Sequence, residues 1–561
     1  MKEKTKEYLL SMKRGKAEII ALLLYVVGVS VISYFHEPWF DEAQAWQIAR
    51  CASIKDILFK IPHYEGHPQL WHLVLAPFAK LGAPYEFTLS AINIAFCTAA
   101  VALILFKSPF PKIVRCLIPF SYFFFYQYGV ISRPYSMMML AFVLMAITYT
   151  NRNGKPLPYV LSLAFLCLTQ AFGIIIAGGL CIIWLGEIFI EHKREKKWKE
   201  IFIDKRCWCL LALAILAGFL ILSIIPAEDV YYAGVDEKSD FFIRKLLTIF
   251  IAPIDCLFGT FWDVETIKQS QSGLIVSCII GALILVILSL IMYANKKLLT
   301  FLLPYMMYLV FGSLVYFSLH HIGISTFYFI FIFWIVLSEN TTMKIPNIIK
   351  KIYISISSKA IKKATAVVTA FVIIMPFAWT ICSSYNDIRY CFGVKNVVEF
   401  LKDNNLDKRK IMVQWATIYN TDESFSIWGN SLSQFDDTSI RQDYTDLCGL
   451  ASATLPYFDE NIYMNFNADD KKIMYMRYRK DSNSEINFKR WHDLGIPEVI
   501  IGNCTLSKIY SESELKNVEY IRVAELKSNS IWKFSRQEIS QEVFLRKDLL
   551  NEYTNLKEIK Y

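Results

Sequence analysis

Charge is what this chain has least of for its size. Only 19% of its 561 residues are Asp, Glu, Lys or Arg, 55% are hydrophobic, and the mean hydropathy is +0.36. A soluble globule of this length would be far more polar, so the scarcity points to a polytopic α-helical membrane protein. The net charge of +9 does not imply a nucleic-acid partner, because the basic residues cluster in short segments between apolar runs. No HExxH or other fixed metal-ligand spacing occurs, and the 13 cysteines fall mostly inside apolar segments, with Cys207-Trp208-Cys209 a lone C-x-C. Buried, inert thiols are the expectation. Internal repeats and low-complexity tracts are also missing, and the apolar runs are nearly free of charge away from their ends. Transporters usually show repeated halves and ionisable groups at mid-membrane, so a lipid-linked sugar transporter or flippase is the weaker class.

What the chain does have is apolar runs of spanning length. A window of roughly 20 residues predicts about eleven crossings, near 17–35, 84–106, 114–130, 135–149, 157–170, 172–190, 207–226, 273–294, 298–318, 321–338 and 364–383. The first lacks a small-x-small cleavage site before His36 and reads as a retained anchor. Segments 107–115, 152–155, 192–206, 296–297 and 344–363 are basic, whereas Asp41, Glu42, Glu65, Glu228, Asp229, Asp236, Glu237 and Asp240 fall in the alternate loops. By the excess of basic residues on the cytoplasmic side, the N-terminus is expected inside and the acidic loops outside a multi-pass cytoplasmic membrane protein. Two outer loops carry candidate interfacial helices, 41–60 followed by an apolar helix from Pro68, and 240–258.

The chain divides into a membrane domain, 1–383, and a more polar final stretch, 384–561, expected outside as an α/β domain of unassigned role. In that stretch a helix is predicted at 394–404, strands at 410–415 and 498–501, and a hairpin pairing 518–525 with 530–535 through Ser528-Asn529. Trp415, Trp428, Trp491 and Trp532 are read there as core rather than sugar-stacking residues.

Six of eight histidines, His36, His63, His67, His72, His320 and His321, lie in or beside outer segments. Trp39-Phe40-Asp41-Glu42-Ala43 follows the first crossing. Gly66-His67-Pro68-Gln69-Leu70-Trp71 opens an apolar helix, and Tyr126-Gln127-Tyr128 and Arg133-Pro134-Tyr135-Ser136-Met137 lie at the outer end of a crossing. Across roughly residues 15–340 this order resembles the GT-C superfamily of polytopic glycosyltransferases. The similar branch is that of bacterial protein O-mannosyltransferases, lipid A aminoarabinose transferases and rhizobial lipopolysaccharide core transferases.

The resemblance implies inverting transfer of a hexosyl or pentosyl group from a polyprenyl-phosphate carrier to an extracytoplasmic acceptor, a cell-envelope glycan, lipid or protein. An envelope polysaccharide polymerase or ligase is the alternative enzyme. By the same resemblance Asp41 is the general base, with Glu42 the second acid of the pair. His67 and Arg133 face the donor phosphate with Tyr135, and His320-His321 forms a further phosphate- or cation-holding motif. Relatives carry an acid two positions before the arginine, where this chain has Ile131; Glu65 is the candidate substitute. No cofactor is certain, although the ligand types admit a divalent cation, for which Glu42, His67 and His321 are candidates. Simpler roles compete for two of these residues. Asp41 is a good N-cap for a helix at 43–60, and Arg133 has the placement of a snorkelling side chain.

Overall fold

The computed structural model describes residues 13–196, 198–230, 249–254, 256, 271–315, 317, 319–340, 342–355, 359–390, 392–413, 449–477, 484–502 and 506–559. The chain is mostly helical. Among the described residues six helices are long and apolar enough to cross a membrane: Lys16–Phe35, Tyr85–Lys107, Ala171–Glu195, Lys205–Ile224, Ile275–Ala294 and Ile322–Glu339. Three apolar helices are shorter: Tyr135–Tyr149, Pro156–Thr169 and Leu298–Leu314. Burial separates their roles. Ile322–Glu339 is 67% buried and packs Phe327, Tyr328 and Phe331 into the core, whereas Lys205–Ile224 is 17% buried and turns Leu211, Ile215, Phe219 and Leu222 outward. Exposed leucine and phenylalanine on a helix of that length are what a lipid-facing surface requires.

The expected crossing 114–130 is a broken segment instead of one helix. A short α-helix, Lys112–Leu117, passes through a 3-10 turn, Ile118–Phe120, into a π-helical turn, Phe123–Gln127. Pro119 has no amide hydrogen to continue the ladder, which accounts for the break. Likewise 41–60 is not a single helix. Phe40–Cys51 ends at Ala52, and Ser53 caps a second short helix, Ile54–Phe59, by accepting a hydrogen bond from the Asp56 amide at 3.0 Å. Helix Ile61–Glu65 closes on Gly66, whose φ of 69° is left-handed, and the chain turns there into His67-Pro68 and the apolar helix Leu70–Lys80. The candidate interfacial helix 240–258 and the acids Asp236, Glu237 and Asp240 fall largely outside the described residues, which resume as helix at 249–254.

The last long helix, Lys359–Tyr390, runs past 383, so the break in composition falls inside a continuous helix. After it, helix Val394–Asp403 covers a four-stranded sheet of order β1-β2-β4-β3, with β1 Ile411–Val413, β2 Val499–Ile501, β3 Tyr520–Trp532 and β4 Ser535–Arg546. The strands predicted at 410–415 and 498–501 coincide with β1 and β2, which pair in parallel. The hairpin is longer than predicted. Ser528 and Asn529 lie within β3, and the turn is Lys533-Phe534, between paired Trp532 and Ser535. A polar pair marks a turn only where no partner strand offers it a ladder, and here residues 535–546 do. The tip of this hairpin reaches the helical region, where the Lys533 carbonyl accepts from the Ser383 hydroxyl at 2.7 Å and the Lys533 ammonium lies 4.1 Å from the Trp379 ring centre. Trp491 is buried beside Met412 and Met464, and Trp532 packs on Tyr122; Trp415 and Trp428 lie outside the described residues.

Candidate functional site

The site begins where helix Lys16–Phe35 ends. Residues 36–39 are extended, and helix Phe40–Cys51 starts at once, with Trp39 in the cap position. Asp41 therefore stands inside the first turn and does not cap. Glu42 takes that role by reaching back to accept a hydrogen bond from the Trp39 amide at 2.8 Å. Its other oxygen accepts from the Ser132 amide at 2.6 Å. One carboxylate thus fixes the helix start and the backbone beside Arg133.

Glu42 is sealed from solvent. Its Oε2 is 3.1 Å from His36 Nε2, and His36 Nδ1 is 2.8 Å from Asp387 Oδ2, on the long helix that leads into the sheet domain. Tyr126 donates to the same Asp387 oxygen at 3.2 Å. An imidazole with a carboxylate oxygen on each nitrogen satisfies both only when both nitrogens carry protons. Burial pulls the His36 pKa down, but the charges of Asp387 and Glu42 and their hydrogen bonds outweigh it and push the group up to about 10.

Asp41, the neighbour of Glu42, points to a different environment. Its Oδ2 is 2.9 Å from Arg133 Nη1, with 23% of the aspartate side chain and 17% of the arginine side chain exposed. Arg133 Nη1 also lies 3.3 Å from His320 Nε2, and its guanidinium sits 5.6 Å from the Tyr135 ring centre. Tyr135 meets both His320 and His321 edge-on, and Tyr128 donates to the His320 carbonyl. This approach needs Gly323, because a Cβ there would lie 2.5 Å from the Tyr128 hydroxyl and 2.4 Å from the Phe123 ring. Burial, with the neighbouring histidine or Arg133 adding to it, holds the pKa of His320 and of His321 well below the ordinary range. Neutral imidazoles beside a permanent guanidinium are the result.

Glu65 and His67 complete the cluster. Glu65 Oε1 accepts from Gln44 Nε2 at 3.0 Å, and its Oε2 is 3.8 Å from His67 Nε2. His67 stacks on His72 with ring centres 5.8 Å apart. Burial raises Glu65 to about 7 against the Gln44 hydrogen bond, and Asp41 adds to the rise while Arg133 opposes it. Burial also lowers His67 to about 4, with a smaller contribution from Arg133.

Asp41, Glu65, His67, Arg133, Tyr135, His320 and His321 thus gather from four separated segments of the chain. Glu42 does not face this group. Ile131 is buried in the core, and Glu65 lies close enough to Asp41 and Arg133 to feel both charges. The three side chains nominated for a divalent cation are not gathered as one ligand set. Glu42 is occupied by two amides and an imidazole, His67 lies beside Glu65, and His321 packs on Phe172 with ring centres 4.6 Å apart. Among the described residues no group of three His, Cys, Asp or Glu side chains could hold a metal ion.

Sequence reasoning missed Asp387, Gln44 and Ser132. Asp387 carried a readable signal, as an acid near the end of a long apolar helix. Gln44 and the Ser132 amide carried none. Compared with family models, curated proteins and solved structures, the chain matches none.

Proposed function

We propose that this chain is a GT-C-type membrane glycosyltransferase that transfers a sugar from a polyprenyl-phosphate carrier to an extracytoplasmic acceptor. The site, the N-terminus and the sheet domain then have the sidedness that the basic and acidic loops imply, with about eleven crossings, the N-terminus inside and the sheet domain outside. The observation that carries the reading is the placement of a partly exposed carboxylate, Asp41, against the guanidinium of Arg133, next to neutral His320 and largely buried Glu65. A carboxylate and a guanidinium side by side supply what inverting displacement at a phosphate-linked sugar requires.

In this mechanism Asp41 removes the proton of the acceptor hydroxyl as its oxygen bonds to the anomeric carbon. The bond from that carbon to the phosphate oxygen breaks, and its electron pair leaves with the polyprenyl phosphate. Arg133 stabilises the charge on that phosphate through N–H donors, with His320 and Tyr135 fixing the guanidinium plane. The test is transfer of radiolabelled sugar from a synthetic polyprenyl-phosphate hexose by the purified chain in lipid nanodiscs, using envelope fractions from cells lacking the protein as acceptor. Release of polyprenyl phosphate together with a labelled, base-stable glycoside is expected. No labelled product from hexose or pentose donors, and an envelope of unchanged sugar composition in the deleted strain, would refute the assignment.

A further inference from the structure

Gln44 is a buried amide, 3% exposed, in the helix that carries Asp41. A glutamine side chain has two N–H donors and two acceptor positions, and all four are used. Its Oε1 accepts from the Met476 amide at 2.7 Å and from the Ser452 hydroxyl at 3.3 Å, and its Nε2 donates to the Met476 carbonyl at 2.9 Å. Toward Met476 the side chain thus behaves as a strand neighbour, satisfying both backbone groups of a residue more than 400 positions away. The second amide proton goes to Glu65 at 3.0 Å. The same stretch of chain meets this helix at two further places. Arg50 donates to the Phe458 carbonyl at 3.0 Å, and Gly449 lies so close to Phe40 that a Cβ there would be 3.6 Å from its ring.

We propose that residues 449–477 are part of the catalytic unit, holding Glu65 beside Asp41 and Arg133 through Gln44, which acts as a positioning residue. The inference rests on the glycosyltransferase reading. Docking alone would need only the pairing with Met476, for which the amide oxygen and one amide proton suffice. The second proton, placed on a site carboxylate, makes the sheet domain's position a condition of the site's geometry. An apolar side chain of equal length would fill the space and leave the Met476 N–H and C=O without partners and Glu65 without its donor.

The experiment uses the full chain in nanodiscs. Gln44→Met is expected to lower kcat by about 10- to 100-fold while donor KM changes by less than about threefold, since a displaced site group costs the transition state more than the ground state. Amide hydrogen exchange in the peptide spanning 474–477 should quicken in the same variant. Gln44→Glu, which keeps acceptors for the Met476 amide and Ser452 but donates no proton to Glu65 when ionised, serves if the methionine variant does not fold. It should lose turnover with a smaller change in exchange. In a Glu65→Gln background, the further loss from Gln44→Met should shrink to less than about twofold, because the group being positioned is already altered. Full turnover in Gln44→Met and Gln44→Glu, or losses that simply multiply with Glu65→Gln, would overturn the proposal while the parent still transfers sugar. A parent that transfers none removes the glycosyltransferase reading and this inference together.

Discussion

Asp41 and Glu42 are adjacent carboxylates with opposite surroundings. Asp41 lies at a partly open surface against Arg133, and Glu42 lies in a sealed triad with His36 and Asp387, where both carboxylates are fully buried. A single residue step along the helix produces the difference, since successive residues point about 100° apart around the axis. The open pair lies where a ligand can reach it. The closed triad is shut off from solvent, and its contacts hold the first helix, the 128–134 loop and the last long helix at one point. Proximity in sequence to a reactive group is therefore no guide to sharing its role.

The largest separation between the two acids should appear in turnover. Asp41→Asn keeps shape and removes the proton acceptor, so sugar transfer should fall by about two to four orders of magnitude. Stability should change by no more than about 1 kcal/mol, the range for a first-turn charge. Glu42→Gln should do the reverse, because it turns an amide toward the Trp39 N–H and leaves His36 and Asp387 without their third partner. A loss of about 3 kcal/mol of stability is expected, as for a broken buried ion pair. Turnover per folded molecule should fall far less than in Asp41→Asn. Transfer rates and denaturation curves on both variants, at matched insertion, decide the matter. A stable but inactive Glu42→Gln would restore Glu42 as a second catalytic acid.

Arg133 tests the open side with a smaller effect. Lysine keeps the charge but loses the planar fork that meets Asp41 and His320 and, in the proposed reaction, the donor phosphate, so Arg133→Lys should lower kcat/KM by about tenfold, and Arg133→Ala by more. An alanine variant with parental transfer would assign Arg133 to the membrane surface as a snorkelling side chain.

The helices and the open cluster were largely legible in the sequence, for different reasons. Spanning runs announce themselves through length and sparse charge, and β1 and β2 through short apolar runs. Asp41 and Glu42 stood out as charges directly after an apolar run and the histidines by gathering in outer segments, whereas His67, Arg133 and His320 were singled out through the resemblance. What was illegible depends on the third dimension. Glu42 and Asp41 look alike until the helix start is fixed at Phe40 rather than Ala43. His36 and Asp387 are 351 positions apart, and no spacing rule connects them. Pro119 could have warned that 114–130 is broken, since an internal proline interrupts the amide ladder. The β3 turn was misplaced because Ser-Asn is a turn signal only when the following residues do not form a partner strand.

The smallest expected effect sharpens the comparison through pH. Glu65 titrates at about 7 rather than in the ordinary carboxylate range, chiefly because it is buried, so it is mostly protonated at pH 6 and mostly ionised at pH 8. Its folded pKa is raised, and the unfolded chain gives up this proton first as pH increases. Folding stability from this group therefore declines between the ordinary carboxylate range and about pH 7. In the proposed reaction the donor is a sugar-bearing phosphodiester, an anion that would approach Arg133, and a neutral Glu65 admits it more readily than a charged one. Donor KM should rise a few-fold as pH passes from 6 to 8, with the midpoint near 7. Glu65→Gln, neutral throughout, should flatten that rise and keep the low-pH value of KM. His36, locked as an imidazolium between two carboxylates, stays charged across the same interval and supplies no competing titration. Donor KM measured at half-unit steps of pH for both proteins is the check, and a parental profile unchanged by Glu65→Gln would place the titrating group elsewhere.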